Sequence, residues 1–150
     1  MAPSPEDPLP EFVALLKSEG RKDVLGLDCG QGADGLRFVR SGIHFTGVDR
    51  SEENIHSARA HGLEVSVAAA PSLPFADSAF PSVWAVHALA GLPPEEWGDV
   101  VRELGRVAAP GAPIAVVLPE GGLPAQGPGF TVLRSPKPPL AAGQPGKGVS

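Results

Sequence analysis

The feature that most constrains this chain is a short apolar run that leads directly into closely spaced glycines. Residues 24–27 read VLGL, and residues 28–35 read DCGQGADG. An apolar run of this length is typical of a strand that is covered on both faces of a parallel sheet. The glycines allow a sharp turn against which a ligand can lie, and the helix that follows presents free N–H groups. The sequence therefore predicts a strand, a glycine-rich turn and a helix as one unit.

A second predicted strand, from Ile43 to Val48, ends in Asp49. In a βαβ unit, an acid about 20 residues after the glycines, at the tip of the second strand, accepts the hydroxyl groups of a ribose. This placement predicts that the unit binds a nucleoside.

The residues around the glycines leave two interpretations of the ligand. Gly30, Gly32 and Gly35 fit the G-x-G-x-x-G pattern, so an NAD-binding oxidoreductase is one alternative. Asp28 opposes it, because a carboxylate beside a diphosphate is unfavourable in a dry site, whereas it suits a positively charged cofactor. Here the sequence resembles the class I S-adenosylmethionine-dependent methyltransferases, whose first motif has the form acid-x-Gly-x-Gly-x-Gly. In this chain Asp34 occupies the place of the third glycine.

A second match to the same family lies before the predicted fourth strand. Leu73-Pro74-Phe75, with Asp77 and Phe80, resembles the Leu-Pro-Phe-x-Asp-x-x-Phe run of many small-molecule methyltransferases. There are two departures: Ala69 stands where the family usually has an acid that accepts the adenine amino group, and Pro81 stands in place of another acid. Loss of one cofactor hydrogen bond costs on the order of 1 kcal/mol, so weaker binding is expected.

Alternating predicted strands and helices place the chain in the α/β class. Right-handed crossovers place the first three strands in a parallel sheet in the order 3-2-1. The resemblance implies a three-layer, Rossmann-like sandwich, with a mostly parallel sheet in the order 3-2-1-4-5. The segment from Gly129 to Arg134 is predicted to add a short antiparallel strand beside strand five.

Length and composition predict a single folded unit. A chain of 150 residues has room for one sizeable core. Residues 1–8 contain three prolines and are predicted to be flexible, and residues 9–134 are predicted to form the methyltransferase-like domain. Residues 135–150 are rich in Pro, Gly and Ala and are predicted to be a disordered tail. The resemblance covers about residues 9–119, so the C-terminal part is expected to be shorter than in a complete family domain.

Composition also excludes several partner classes. The net charge of −5 provides no basic field, so no nucleic-acid partner is expected. A single cysteine, Cys29, excludes an intrachain disulfide and a cysteine-based zinc site, and no metal is expected. No long apolar segment or leader is evident, which predicts a cytoplasmic protein without a membrane partner.

The resemblance implies S-adenosyl-L-methionine as cofactor and assigns residues to its parts. Main-chain groups around Gly30 and Gly32 would hold the carboxylate, Asp28 the amino group, Asp49 the ribose, and the loop at residues 70–73 the adenine. The cofactor-binding residues predicted in this way are Asp28, Cys29, Gly30, Gln31, Gly32, Asp49, Arg50, Ala70, Pro71, Leu73 and Val86.

His87 is the candidate catalytic residue. It follows the fourth strand at its carboxyl end, where ligands bind to open α/β sheets, and it could remove a proton from a small-molecule acceptor. A purely structural role is the alternative.

The missing acids also leave open a reduced methyltransferase-like protein that binds S-adenosylmethionine or a partner chain without methylating. A strand-five edge covered by one short strand suggests a homodimer or a partner subunit there.

Overall fold

A six-stranded sheet organises the computed structural model, which describes residues 7–118 and 129–136. Within these ranges the strands follow the order β3-β2-β1-β4-β5-β6. Strands β1 to β5 pair in parallel, and β6 pairs antiparallel with β5. The predicted Rossmann-like fold and strand order are therefore confirmed. The strands are β1 Asp23–Leu27, β2 His44–Asp49, β3 Glu64–Val67, β4 Val83–Ala85, β5 Pro113–Leu118 and β6 Gly129–Arg134.

Helices cover both faces of the sheet. They are α1 Leu9–Ser18, α2 Ala33–Arg40, α3 Glu52–Ala60 and α4 Trp97–Val107. The sequence pattern predicts a helix from Leu36 to Arg40, whereas α2 begins at Ala33, because Gly32 has a φ of 100° that lets the chain turn directly into the helix. The predicted cap of α3 is confirmed, since the Ser51 hydroxyl accepts a hydrogen bond from the Asn54 N–H at 3.1 Å.

Two apolar layers separate the helices from the sheet. Side chains of α1, α2 and α3 pack on one face, where an aromatic group of Phe12, Phe38, Phe45 and Trp84 lies. Helix α4 packs on the other face, where Leu104 is fully buried against the alternate residues of the strands. Because strand side chains alternate between faces, Trp84 points to the α1 side of the sheet.

Ion pairs join the two ends of the described chain to other elements of the fold. Glu19, just after α1, accepts hydrogen bonds from Arg134 of β6 at 2.6 Å and from Arg21 at 2.7 Å. These bonds lower the pKa of Glu19 to about 2. Asp7 pairs with Arg37 of α2 at 2.7 Å. The α1 end and β6 are therefore joined although they are far apart in the sequence.

Most of the predicted flexible N-terminus (1–8) and disordered tail (135–150) falls at residues 1–6 and 137–150, outside the described residues. The boundaries of a 9–134 domain stay a prediction, and its residues 119–128 also lie outside that part. At the start of the predicted tail, Ser135 is buried and its hydroxyl donates to the Gly105 carbonyl at 3.2 Å. Across residues 7–118 and 129–136, none of the helices combines the length and the apolar character that crossing a membrane requires.

Candidate functional site

The glycine-rich turn after β1 is built from three residues in the left-handed region. Asp28, Gly30 and Gly32 have φ values of 51°, 58° and 100°. A Cβ on Gly32 would lie 2.5 Å from the Leu63 side chain, so this glycine is needed for packing between the turn and the neighbouring helix and strand. A Cβ on Gly30 would meet nothing within 4 Å. Gly30 therefore leaves bare main chain facing open space, as ligand contact requires.

Asp49 fixes this turn from the end of β2. Its buried carboxylate accepts hydrogen bonds from the Gly30 N–H and the Ser51 N–H, each at 2.9 Å, and from the Asn54 amide at 3.3 Å. Burial alone would raise the pKa of Asp49, but these hydrogen bonds outweigh burial and lower it. A carboxylate has about four acceptor positions, so about one remains for a ligand hydroxyl.

A cavity of about 240 Å³ lies beside the turn, at the carboxyl ends of β1 and β4. Four of the predicted cofactor residues line it together with the predicted catalytic residue. They are Asp28, Cys29, Gly30 and Gln31, with His87. The structure thus brings the glycine-rich turn and the end of the fourth strand to one cavity.

Asp28 also lines a second depression, which is much smaller, with a volume of about 10 Å³. Arg50 and Ala70, both predicted cofactor residues, line this depression with it. Burial is the main cause of a raised pKa for Asp28; the nearby Arg50 opposes that shift, and Asp49 adds to it. The Asp28 carboxylate therefore lies at the boundary of both hollows in an environment that disfavours its charge.

The remaining predicted cofactor residues lie farther from the two hollows. Among the described residues, Gly32, Asp49, Pro71, Leu73 and Val86 are not part of either lining. Leu73 is buried in the layer under α4, Val86 is buried on the opposite face, and Pro71 is exposed on the turn before Leu73. Their contacts with a cofactor stay predictions.

Cys29 is not an activated nucleophile. Burial is the main cause that raises the pKa of its thiol to about 11. The thiol is therefore protonated at neutral pH, which fits its role as a small residue in the turn. In the parts of the chain that the structure describes, no group of three or more His, Cys, Asp or Glu residues is arranged to hold a metal.

Sequence reasoning missed an aromatic and acidic part of the cavity lining. The indole Nε1 of Trp84 donates to Asp34 Oδ2 at 3.0 Å, and the His87 Nε2 atom lies 3.6 Å from the same oxygen. Phe45 also lines the cavity, and its ring fills the space left by the absent side chains of Gly26 and Gly47. The two strand glycines beside an aromatic residue were the available signal for Phe45. The Asp34 contact had no such signal, because it joins residues 50 positions apart.

Comparison with known proteins shows which family has this sequence and fold. A family model described as a methyltransferase domain matches residues 24–111, which is more than half of the chain. This matched range includes the glycine-rich turn, Asp49 and His87.

Named relatives point in the same direction. Methyltransferase GfsG of Streptomyces halstedii is 33% identical over 132 residues, which cover 76% of this chain and 46% of that protein. Norajmaline N-methyltransferase of Rauvolfia serpentina is 32% identical over 109 residues, which cover 67% of this chain and 37% of that protein. The chain thus spans about half, or less, of the length of these curated relatives.

A solved structure gives the same result for the fold. The SAM-dependent methyltransferase of Methanosarcina mazei superposes with a TM-score of 0.62 at 28% sequence identity. The match covers 65% of this chain and 52% of that chain.

Proposed function

This chain belongs to the class I S-adenosylmethionine-dependent methyltransferases, and from that premise we propose that it methylates a small-molecule acceptor. The observation that carries the proposal is the position of Asp28, whose half-buried carboxylate borders both hollows at the carboxyl edge of the sheet. A negative group at this point favours a cofactor with an ammonium and a sulfonium over one with a diphosphate. This argument also counts against the NAD-dependent alternative.

The residues present fit S-adenosylmethionine. The first-turn N–H groups of α2, which have no side-chain cap, suit its carboxylate, and the bare main chain of Gly30 lets the ligand approach this helix end. Asp28 suits the amino group, the remaining acceptor position of Asp49 suits a ribose hydroxyl, and the residues that line the small depression beside Arg50 suit contact with one edge of the adenine. When bound, this cofactor would supply an electrophilic methyl carbon to an acceptor nucleophile, with the thioether S-adenosylhomocysteine as the leaving group.

We propose that His87 accepts the proton that the acceptor loses. Its side chain is 60% exposed at the cavity, so a substrate can reach it. The Nε2 atom lies 3.6 Å from Asp34 Oδ2, so we assign the uptake of the proton to Nδ1. The larger part of the acceleration comes from holding the reacting atoms in line, since alignment requires no special side chain.

One feature supports a small-molecule acceptor, and another supports contact with a second protein chain. One relative carries the name norajmaline N-methyltransferase, which supports a small-molecule acceptor. The outer edge of β6 has no neighbouring strand among the described residues, and Phe130 on this strand is partly exposed. Unpaired edges form hydrogen bonds with other chains, so we propose this edge as the contact of a homodimer or of a partner subunit. Sedimentation of the purified protein tests this contact.

Mapping of the ligand site by NMR tests the proposed function. Addition of S-adenosylhomocysteine, the demethylated product, should shift the amide signals of Asp28, Gly30 and Arg50 and the ring signals of His87. NAD at the same concentration should leave these signals in place. Shifts caused by NAD alone would assign the site to an oxidoreductase, whereas shifts without methyl transfer to any tested acceptor would favour the non-catalytic alternative.

A further inference from the structure

Arg106, near the end of α4, holds the loop that follows β3. Its guanidinium donates to the carbonyls of Leu73 at 3.1 Å and Phe75 at 2.8 Å, and to the Asp77 carboxylate at 2.9 Å. It also forms a two-pronged ion pair with Glu103, at 2.7 and 2.9 Å. The Glu103 Oε2 atom, which accepts from Arg106 Nη2, also accepts the Leu73 N–H at 2.8 Å. Both peptide groups of Leu73 are thus bound to α4.

This group of contacts, called here the Arg106–Glu103 clamp, is charged throughout the neutral pH range. The hydrogen bond from Arg106 is the main cause that lowers the pKa of Glu103, and the hydrogen bond to Glu103 is the main cause that raises the pKa of Arg106. The Glu103 side chain is only 12% exposed, which limits screening by solvent. Hydrogen bonds between charged groups of this kind are stronger than neutral ones.

The clamp fixes one end of the turn formed by residues 69–72. At the other end, the N–H of Ala68 donates to the Asp49 carbonyl at 3.1 Å. Inside the turn, the Ser72 N–H donates to the Ala69 carbonyl at 2.9 Å, and the Leu73 side chain is buried directly after it. Ala69 and Ala70 line the small depression beside Asp28. One wall of that depression is therefore held between β2 and α4.

We infer that Arg106, through Glu103, is a positioning residue for this wall and so sets the affinity for the adenosine part of the cofactor; the inference rests on the proposed function. Ala69 carries no polar side-chain atom for the adenine, so recognition there depends on the shape of the wall. A wall ordered before binding avoids the entropic cost of ordering it with the ligand. Arg106 is not among the residues that line either hollow in the described chain, so it acts through the loop.

The same helix offers a matched control. Arg102 lies one turn before Arg106, its side chain is 77% exposed, and its ion pair is with Asp99 at 2.8 Å. Arg102→Met removes the same side-chain charge from α4 as Arg106→Met, but it leaves the loop contacts intact. Any difference between the two variants therefore reports on the loop.

The test combines amide exchange with ligand affinity. Hydrogen exchange of the peptide covering residues 69–78 should become faster in Arg106→Met and stay unchanged in Arg102→Met. The Kd for S-adenosylhomocysteine, measured well below the melting temperature, should rise about tenfold in Arg106→Met if about a tenth of the molecules keep the competent wall. In turnover, the KM for S-adenosylmethionine should rise while kcat stays constant, and Arg106→Lys should recover part of the affinity.

Three results would overturn the inference, and they can be told apart. Faster exchange with an unchanged Kd means that order in the loop does not affect binding, and unchanged exchange means that the clamp does not hold the loop. A wild-type protein without affinity for S-adenosylhomocysteine overturns the proposed function as well. If Arg106→Met does not fold, Glu103→Gln serves instead, because it keeps an oxygen for the Leu73 N–H but places an NH₂ group, which cannot accept, against Arg106. An unchanged Kd in a variant with faster exchange is again the contradicting result.

Discussion

The N–H of Gly30 donates to the carboxylate of Asp49 at 2.9 Å, which joins the glycine-rich turn to the end of the neighbouring strand. The same carboxylate accepts the N–H of Ser51 at the start of α3. One buried side chain therefore sets both the shape of the turn and the direction of the next helix. The main chain that faces the cavity is held in place by the protein itself.

Asp49→Asn should reduce stability. An amide offers one oxygen instead of two, and its NH₂ group would face an N–H of the turn or of Ser51, so one buried donor loses its acceptor. The free energy of unfolding, measured with urea, should fall by about 1–3 kcal/mol. Asp99→Asn on the exposed face of α4 is the control, and an equal effect of the two substitutions would contradict the structural role of Asp49.

Asp28→Asn should have opposite effects on stability and on binding. Because burial raises the pKa of Asp28 in the folded state, folding binds protons at this group, and stability falls as pH rises from the ordinary value of 3.8 through the raised value. Above that window, at neutral pH, the ionised group destabilises the fold. The neutral amide should raise the free energy of unfolding by about 1 kcal/mol in the absence of ligand and should weaken binding of S-adenosylhomocysteine. Thermal melts of the ligand-free protein at pH 7 check the first effect, and a lower melting temperature than wild type would contradict it.

Glu19 should contribute to stability at neutral pH and lose that contribution in acid. Its pKa is lowered from 4.5 to about 2, so the contribution is complete above 4.5 and disappears as pH falls through about 2. Glu19→Gln should cost about 0.5–1 kcal/mol at pH 7, since partly exposed ion pairs are screened. Between pH 4.5 and about 2, the urea midpoint of Glu19→Gln should change less than that of the wild type. Glu95→Gln, at an exposed position, is the control and should change as the wild type does. Parallel curves for Glu19→Gln and wild type would argue against the ion pair with Arg134.

His87→Ala should reduce turnover and leave cofactor affinity nearly unchanged. Loss of a general base lowers kcat by about a hundredfold or more, whereas the cofactor-binding turn is built by other residues. Formation of S-adenosylhomocysteine, followed over a panel of hydroxyl and amine acceptors, measures the rate. His61→Ala, at the exposed end of α3, is the control. Equal rates for wild type and His87→Ala would remove the assignment of His87 as the base.

The sequence predicted the elements that depend on local patterns. β6 has the predicted bounds, since it is an apolar run that ends at an arginine. The start of α2 was missed, because helix propensity does not register a left-handed glycine just before it.

Side-chain contacts between distant residues could not be predicted in this way. Arg106 is placed by the helix pattern near the end of α4, but that pattern does not distinguish it from Arg102. The difference arises only when the loop at residues 73–77 folds against one face of the helix. The contact of Asp34 with Trp84 is of the same kind, because it requires the sheet to bring α2 and β4 together.

Calorimetric titration of the wild-type protein with S-adenosylhomocysteine, and separately with NAD, tests the central claim most directly. The claim is that a carboxylate at the end of β1 selects a cofactor that carries an ammonium group, which S-adenosylhomocysteine shares with S-adenosylmethionine, and not a diphosphate. S-adenosylhomocysteine should bind with micromolar or better affinity at one site per chain, and NAD should give no binding heat. Binding of NAD without binding of S-adenosylhomocysteine would contradict the claim.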